Sequence, residues 1–278
     1  MSYREVNSMR KTLCVLGAGN MGLAITDGII NSAVLSPSDI ILVRRNTDKL
    51  SAYKDLGCNI SSDVVESARK ADAVMLAVKP QMMNEIFESI ADVCRGKLVI
   101  SIAAGIKIET IRKALPETAV VRAMPNTPLT VGEGVTELCC DDDVTEEDYL
   151  FAKSLFEGSG ITFDCREEEM NALTALTSSA VAYFGAVEDA MVNWAMENGL
   201  GGYDRQALCD LVSKTAIGTA ALLYEKKTAP KDLIRAVASP KGTTEQALRV
   251  FSEKDLSGVF DSAMTACLNR AEELSGSK

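Results

Sequence analysis

The stretch Leu13-Cys14-Val15-Leu16-Gly17-Ala18-Gly19-Asn20-Met21-Gly22 decides the fold. Four apolar residues read as a short buried strand, and the GxGxxG pattern behind them opens a helix. In that setting each glycine has a task. The first makes a tight turn, the second lets backbone N–H groups approach a pyrophosphate, and the third brings helix against strand. The anion then rests on the positive end of the helix. A merely structural glycine turn is the bland alternative, and the flanking strand and helix weigh against it.

Outward from this motif, β-branched runs alternate with helical patterns as far as about Ala123, the order that builds a parallel sheet covered by helices. Strands are expected at 13–16, 40–43, 73–78, 98–102 and 119–122, with two more at 135–139 and 161–163. Helices are expected around 67–70, over 83–94 and over 108–115, where Pro116 stops the last. Another starts near Glu146, with the acidic run 141–148 capping and solvating its amino end.

Beyond Cys165 the β signals vanish. An Ala-rich helix is expected over 178–197, ended by Gly199, Gly201 and Gly202. A following helix carries Asp204 in its first turn and the stripe Leu208, Leu211, Val212, Ala216, Thr219, Leu222 and Leu223. Helices so apolar need a partner to bury against. The expected architecture is therefore α/β: a doubly wound Rossmann sheet over 1–165, then an all-α domain over 166–278.

Composition narrows the chemistry. Among 278 residues there is no histidine, which removes Ser-His-Asp hydrolases, Cys-His proteases and His-ligated zinc enzymes. Lys and Arg number 29 against 39 Asp and Glu, a net charge of -10 with no basic face for nucleic acid. Eight cysteines contain no CxxC pair, the usage of free thiols in a reducing cytoplasm. The amino terminus, Met1-Ser-Tyr-Arg-Glu-Val-Asn, has no apolar core of a signal peptide, and neither export nor membrane insertion is expected.

The end of the second strand selects the dinucleotide. It reads Val43-Arg44-Arg45-Asn46-Thr47, with no acid before Asp48 to hold a ribose 2′-hydroxyl. Two guanidiniums there suit a 2′-phosphate, hence NADPH, with NADH possible. Three more segments fall at strand ends where such sheets bind ligands: Ala77-Val78-Lys79-Pro80-Gln81, Ala103-Ala104-Gly105 and Met124-Pro125-Asn126-Thr127-Pro128. The two prolines are expected to hold Asn126 and Thr127 in a stiff extended loop, a ligand contact or a rigid connector. In the helical half, Ser239-Pro240-Lys241-Gly242-Thr243-Thr244 precedes a helix, placing hydroxyls and N–H groups at its amino end. A carboxylate site and an ordinary helix cap are both open there.

Taken in order, these segments make the chain resemble the pyrroline-5-carboxylate reductase family from Lys11 to Leu274. The resemblance rests on GAGNMG, AVKPQ, SIAAGI, RAMPNTP with Val131-Gly132-Glu133-Gly134 behind it, and SPKGTT before a terminal helix. It implies NAD(P)H-dependent reduction of (S)-1-pyrroline-5-carboxylate to L-proline, the last step of proline synthesis, by a homodimer or a dimer-based assembly such as a decamer. It implies Leu16, Gly17, Ala18, Gly19, Asn20 and Met21 along the pyrophosphate, and Arg45 and Thr47 near the adenosine ribose. Ala77, Val78, Lys79, Pro80, Ile102, Ala103 and Ala104 would line the nicotinamide half, with Asn126 near the nicotinamide. Glu167, Ser239, Gly242, Thr243 and Thr244 would hold the substrate, and Thr244 would act at the reacting nitrogen.

The chain departs from that pattern at three places. Thr174-Ala175-Leu176-Thr177-Ser178-Ser179-Ala180-Val181-Ala182-Tyr183 stands where the family usually reads Thr-Ala-Leu-Ser-Gly-Ser-Gly-Pro-Ala-Tyr, Lys241 replaces a glycine, and Val64 replaces an asparagine common near a cofactor ribose. These changes keep two alternatives in view, reduction of a different cyclic imine and a non-catalytic NADPH-binding protein. A β-hydroxyacid dehydrogenase fits less well, because 178–189 lacks the lysine and following asparagine such enzymes carry on the long helix.

Overall fold

The computed structural model of the chain describes residues 11–276. The charged amino terminus read above lies outside them. Eight strands form one sheet: β1 (Leu13–Leu16), β2 (Ile40–Val43), β3 (Asn59–Ser61), β4 (Ala73–Leu76), β5 (Leu98–Ser101), β6 (Ala119–Pro125), β7 (Gly134–Cys140) and β8 (Gly160–Asp164). Their order is β3-β2-β1-β4-β5-β6-β7-β8. Every neighbouring pair is parallel except β6 and β7. The chain reverses its direction of travel across the sheet between β1 and β4, the switch point at which open α/β sheets take ligands.

Helices cover this sheet: α1 (Asn20–Asn31), α2 (Ser51–Asp55), α3 (Val64–Lys70), α4 (Met83–Ile90), α5 (Ile108–Ala114), α6 (Glu146–Glu157) and α7 (Met170–Leu176). Because side chains alternate along a strand, β1 sends Leu13 and Val15 into one core and Cys14 and Leu16 into the other. The first core packs Ile25, Ile29 and Phe156 against the sheet, and the second packs Phe87, Ile90 and Met170. Burial on both faces is why β1, β2 and β4 read as unbroken apolar runs, and β5 as one up to Ser101.

Polar groups close the helix ends. Asp63 caps α3 by accepting from the Glu66 N–H at 3.0 Å, and Lys97 Nζ donates to the carbonyls of Ala68, Arg69 and Ala71 at its other end. Thr145 caps α6, with Glu146, Glu147 and Asp148 in the first turn, so the expected acidic amino end is present around a threonine cap. All eight cysteines are unpaired. Burial pushes Cys14 and Cys139 up to about 12, keeping those thiols protonated.

The remaining helices are α8 (Ala180–Ala195), α9 (Arg205–Tyr224), α10 (Pro230–Val237), α11 (Thr243–Glu253) and α12 (Leu256–Leu274). The chain divides into two compact units, one of residues up to Ser178 together with those from Leu268, the other Ser179–Cys267. This differs from the expected division at 165/166. The reason is local: Met170 of α7 is fully buried in the second core, and the Thr177 hydroxyl donates to Glu137 of β7. In the second unit the buried cluster is small, Val192, Ala195 and Leu208. Of the apolar stripe on α9, Leu208 is buried while Leu211 and Leu222 are exposed, and Phe184 and Trp194 of α8 are exposed as well.

Other differences from the sequence reading are smaller. β3 was not expected, since it is three residues long with exposed Asn59 at the sheet edge. β4 ends at Leu76 and α4 at Ile90, both short of the expected 78 and 94. β6 runs on to Pro125, which pairs with Thr136 as the terminal residue of its strand.

Candidate active site

The glycine turn lies at the carboxyl end of β1. Gly17 has φ +96°, a conformation that favours glycine, and a Cβ there would meet Val78 Cγ1 at 2.7 Å and the Ala77 carbonyl oxygen at 2.8 Å. A Cβ on Gly22 would meet the Gly17 carbonyl oxygen at 2.9 Å and Val15 Cγ1 at 3.2 Å, so helix and strand touch there. Gly19 is different. The nearest atom to a Cβ at that position is the Gly17 carbonyl oxygen at 3.8 Å, leaving open space over the amino end of α1. One turn glycine, one packing glycine and one that clears a cradle match the three tasks expected, and the cradle fits a pyrophosphate.

The end of β2 holds this turn in place. Val43 O accepts from both Gly17 N–H at 3.1 Å and Ala18 N–H at 3.0 Å. Arg44 Nη1 donates to the Ala18 carbonyl at 2.9 Å. Arg44 was expected on the 2′-phosphate, and the structure instead turns it back onto the glycine loop. Arg45 is exposed, with Nη2 3.8 Å from Glu85 Oε2. Thr47 begins a short 3-10 turn capped by Asn46, whose Oδ1 accepts from the Asp48 N–H.

Across the switch point, Ala77 N–H donates to Leu16 O at 2.8 Å and Ile102 N–H to Leu76 O at 3.2 Å. Ala77 to Pro80 and Ile102 to Ala104 thus leave the sheet beside the glycine turn. Ala103 is buried and Ala104 exposed. Asn126 is buried, its Oδ1 accepting from Val135 N–H at 2.9 Å and its own N–H donating to Val135 O at 3.2 Å. That carbonyl oxygen joins β6 to β7, so the amide nitrogen is the half of Asn126 left for a ligand. The expected extended loop ends at Asn126, because Thr127–Val131 coils into a 3-10 turn closed by Gly132 at φ +80°.

Glu167 corrects a second expectation. Its Oε1 accepts from Arg122 Nη1 at 2.9 Å and from Ile108 N–H at 2.8 Å, bracing β6 against the start of α5 within the first unit. That oxygen is committed to the fold, not to a substrate.

In the second unit, α11 starts at Thr243 behind the N-cap Gly242. A Cβ on Gly242 would meet Ser239 Oγ at 2.6 Å and the Ser239 carbonyl oxygen at 2.9 Å, so this glycine is sterically required. Lys241, one residue earlier, sits at φ +62° without being glycine. Its N–H donates to Glu245 Oε2 at 2.7 Å, and Gly242 N–H donates to Ser239 O at 3.0 Å. The first-turn N–H groups of Thr243 and Thr244, which by helix geometry have no intrahelical acceptor, remain for a carboxylate.

The sequence reading missed Glu137, fully buried on β7, whose Oε1 accepts from Thr177 Oγ1 at 2.6 Å. Burial pushes its pKa above the ordinary carboxylate value. A glutamate within an apolar strand, Val135 to Cys139, was the available signal. It also missed Gly28, whose absent Cβ makes room for Ser159.

Comparison with known proteins agrees with this geometry. Residues 167–274 match the family model described as pyrroline-5-carboxylate reductase dimerisation, and residues 12–105 that described as NADP oxidoreductase coenzyme F420-dependent. A pyrroline-5-carboxylate reductase of Vibrio alginolyticus is 35% identical over 95% of this chain and 97% of its own length. That of Escherichia coli is 33% identical over 97% of this chain and 100% of its own. Among solved structures, the reductase of Coxiella burnetii superposes with a TM-score of 0.89 at 32% identity, covering 96% of this chain and 99% of that one. The Plasmodium falciparum pyrroline carboxylate reductase, solved with NADP bound, gives 0.85 at 25% identity over 95% and 98%. The chain belongs to the pyrroline-5-carboxylate reductase family.

Proposed function

We propose that this chain reduces (S)-1-pyrroline-5-carboxylate to L-proline, using NADPH in preference to NADH. The observation that supports the cofactor class is the cradle left open by Gly19 between the steric blocks at Gly17 and Gly22. The α1 amino end and residues 16–21 take the pyrophosphate, Arg45 and Thr47 the phosphorylated ribose, and 77–80, 102–104 and the Asn126 amide the nicotinamide half. When bound, the nucleotide supplies the hydride. Ser239, Gly242 and Thr243 hold the substrate carboxylate at the α11 amino end, and the Thr244 hydroxyl orients the ring N–H. With no histidine in the chain, the ring nitrogen arrives already protonated as the iminium ion. The exposed apolar residues of α8 and α9 are the dimer surface of a homo-oligomer, on which a decamer can be built, and the enzyme works in the cytoplasm.

The test is oxidation of NADPH followed by absorbance with pyrroline-5-carboxylate, alongside light scattering. Turnover with that substrate and a mass of at least a dimer are expected. Lys241, in the place of a family glycine, favours one second reading, a different cyclic imine. Faster turnover of a six-membered cyclic imino acid than of pyrroline-5-carboxylate would establish it, and no turnover of any imine would leave a nucleotide-binding protein.

A further inference from the structure

The two arginines at the end of β2 face different partners. Arg44 is half-buried and donates to the Ala18 carbonyl, whereas Arg45 is exposed, with its Nη2 3.8 Å from Glu85 Oε2. The peptide between Ala18 and Gly19 carries that carbonyl at one end and the Gly19 N–H at the other. The Gly19 N–H in turn donates to Gly17 O at 2.6 Å. With Val43 O already holding the two preceding N–H groups, Arg44 supplies the remaining fixed point of the turn. It also leaves a guanidinium charge beside the loop that receives the pyrophosphate.

We propose that Arg44 is a positioning residue for the pyrophosphate of either coenzyme, acting through the Ala18 carbonyl, and that of the two arginines only Arg45 meets the 2′-phosphate. Both NADH and NADPH carry the pyrophosphate, and only NADPH carries the 2′-phosphate. A residue that shapes the glycine turn therefore affects both nucleotides by one factor. A residue that meets the 2′-phosphate affects NADPH only. The second half of this inference rests on the NADPH reading above, and the first half does not.

The experiment measures Kd for NADPH and NADH by fluorescence titration of the wild-type enzyme and of Arg44→Gln, Arg44→Lys and Arg45→Gln, with thermal unfolding in parallel. Arg44→Gln is expected to weaken both nucleotides equally, by about tenfold for the loss of a charge-assisted hydrogen bond. Arg44→Lys, which keeps the charge and an N–H donor for the carbonyl, is expected to recover most of that loss for both. A purely structural lesion would lower thermal stability without this matched rescue. Arg45→Gln is expected to weaken NADPH by about tenfold and leave NADH unchanged. If Arg44→Gln weakened NADPH far more than NADH, or altered neither, the positioning role would be wrong. If instead the wild type bound NADH as tightly as NADPH and Arg45→Gln changed nothing, the NADPH reading would fall, and a matched loss in Arg44→Gln would still support the role of Arg44.

Discussion

Glu137 and Thr177 share a 2.6 Å hydrogen bond inside the first unit, and the same threonine hydroxyl lies 2.8 Å from the Leu173 carbonyl. A hydroxyl has one proton and Leu173 O can only accept. Glu137 Oε1 therefore shares that one proton with Leu173 O as a second acceptor. The other carboxylate oxygen of Glu137, Oε2, is buried without a hydrogen-bond partner, which disfavours the anion.

This pair makes stability depend on pH. Burial raises the Glu137 pKa in the folded chain above its ordinary 4.5, so the folded state holds the proton longer than the unfolded state does. The stability is complete below pH 4.5 and is lost as pH rises from there through the folded value. Glu137→Gln keeps an oxygen that accepts from Thr177 and removes the titration. Denaturant midpoints across pH are expected to show a variant about 1 kcal/mol more stable than wild type on the alkaline side, the gap closing toward acid. A gap of constant size would contradict the assignment.

The glycines of the nucleotide turn separate folding from binding. Gly19→Ala enters open space in an extended backbone, and its unfolding temperature is expected to match wild type while NADPH binding weakens by tenfold or more, ~1.4 kcal/mol. Gly22→Ala drives a methyl into the Gly17 carbonyl and Val15, and it is expected to lose about 1 to 3 kcal/mol of stability. Calorimetry of both variants checks the contrast.

Thr244→Ala tests where the proton originates. Loss of one neutral orienting bond is expected to cost about three- to tenfold in kcat/KM, well short of the ~10² to 10⁴ of a general acid. The alkaline fall in rate should follow the titration of the imine itself in both proteins. A loss above ~10³ in a folded variant would assign the proton to the enzyme.

Lys241 stores backbone strain. A side chain in the left-handed region costs about 1 to 2 kcal/mol, partly offset by the extra unfolded-state freedom that glycine brings. Lys241→Gly is therefore expected to stabilise the fold by about 0.5 to 1 kcal/mol, read by chemical denaturation. The comparison of KM for the imine in the same two proteins shows whether the lysine charge acts on the substrate carboxylate.

The central sheet was legible because β1, β2, β4 and β5 are buried on both faces and announce themselves as apolar runs. The nucleotide turn was legible because glycine is demanded there by contacts with Ala77, Val78 and Val15. What stayed hidden are pairings between residues far apart in the chain. Arg44 reads as a phosphate ligand until β2 sets it beside Ala18, and Glu167 reads as a substrate residue until β6 brings Arg122 to it. β3 was hidden for another reason: a short edge strand has little side-chain burial to write into its sequence. The compact units part later than the expected 165/166 because α7 is helical like the segments after it, yet packs on the sheet.

Residues 268–276 belong to the first unit. A Cβ on Gly105, at φ +76°, would lie 3.3 Å from the Leu274 carbonyl oxygen, and Asn171 Nδ2 donates to Ser275 Oγ at 3.1 Å. During synthesis the sheet emerges from the ribosome long before the segment that covers Gly105 and Asn171. Between them lies the whole of Ser179–Cys267. At ~5 to 20 residues per second that is a delay of roughly 5 to 20 s. The nucleotide-binding half is thus born unfinished, and residues 268–276 are what complete it.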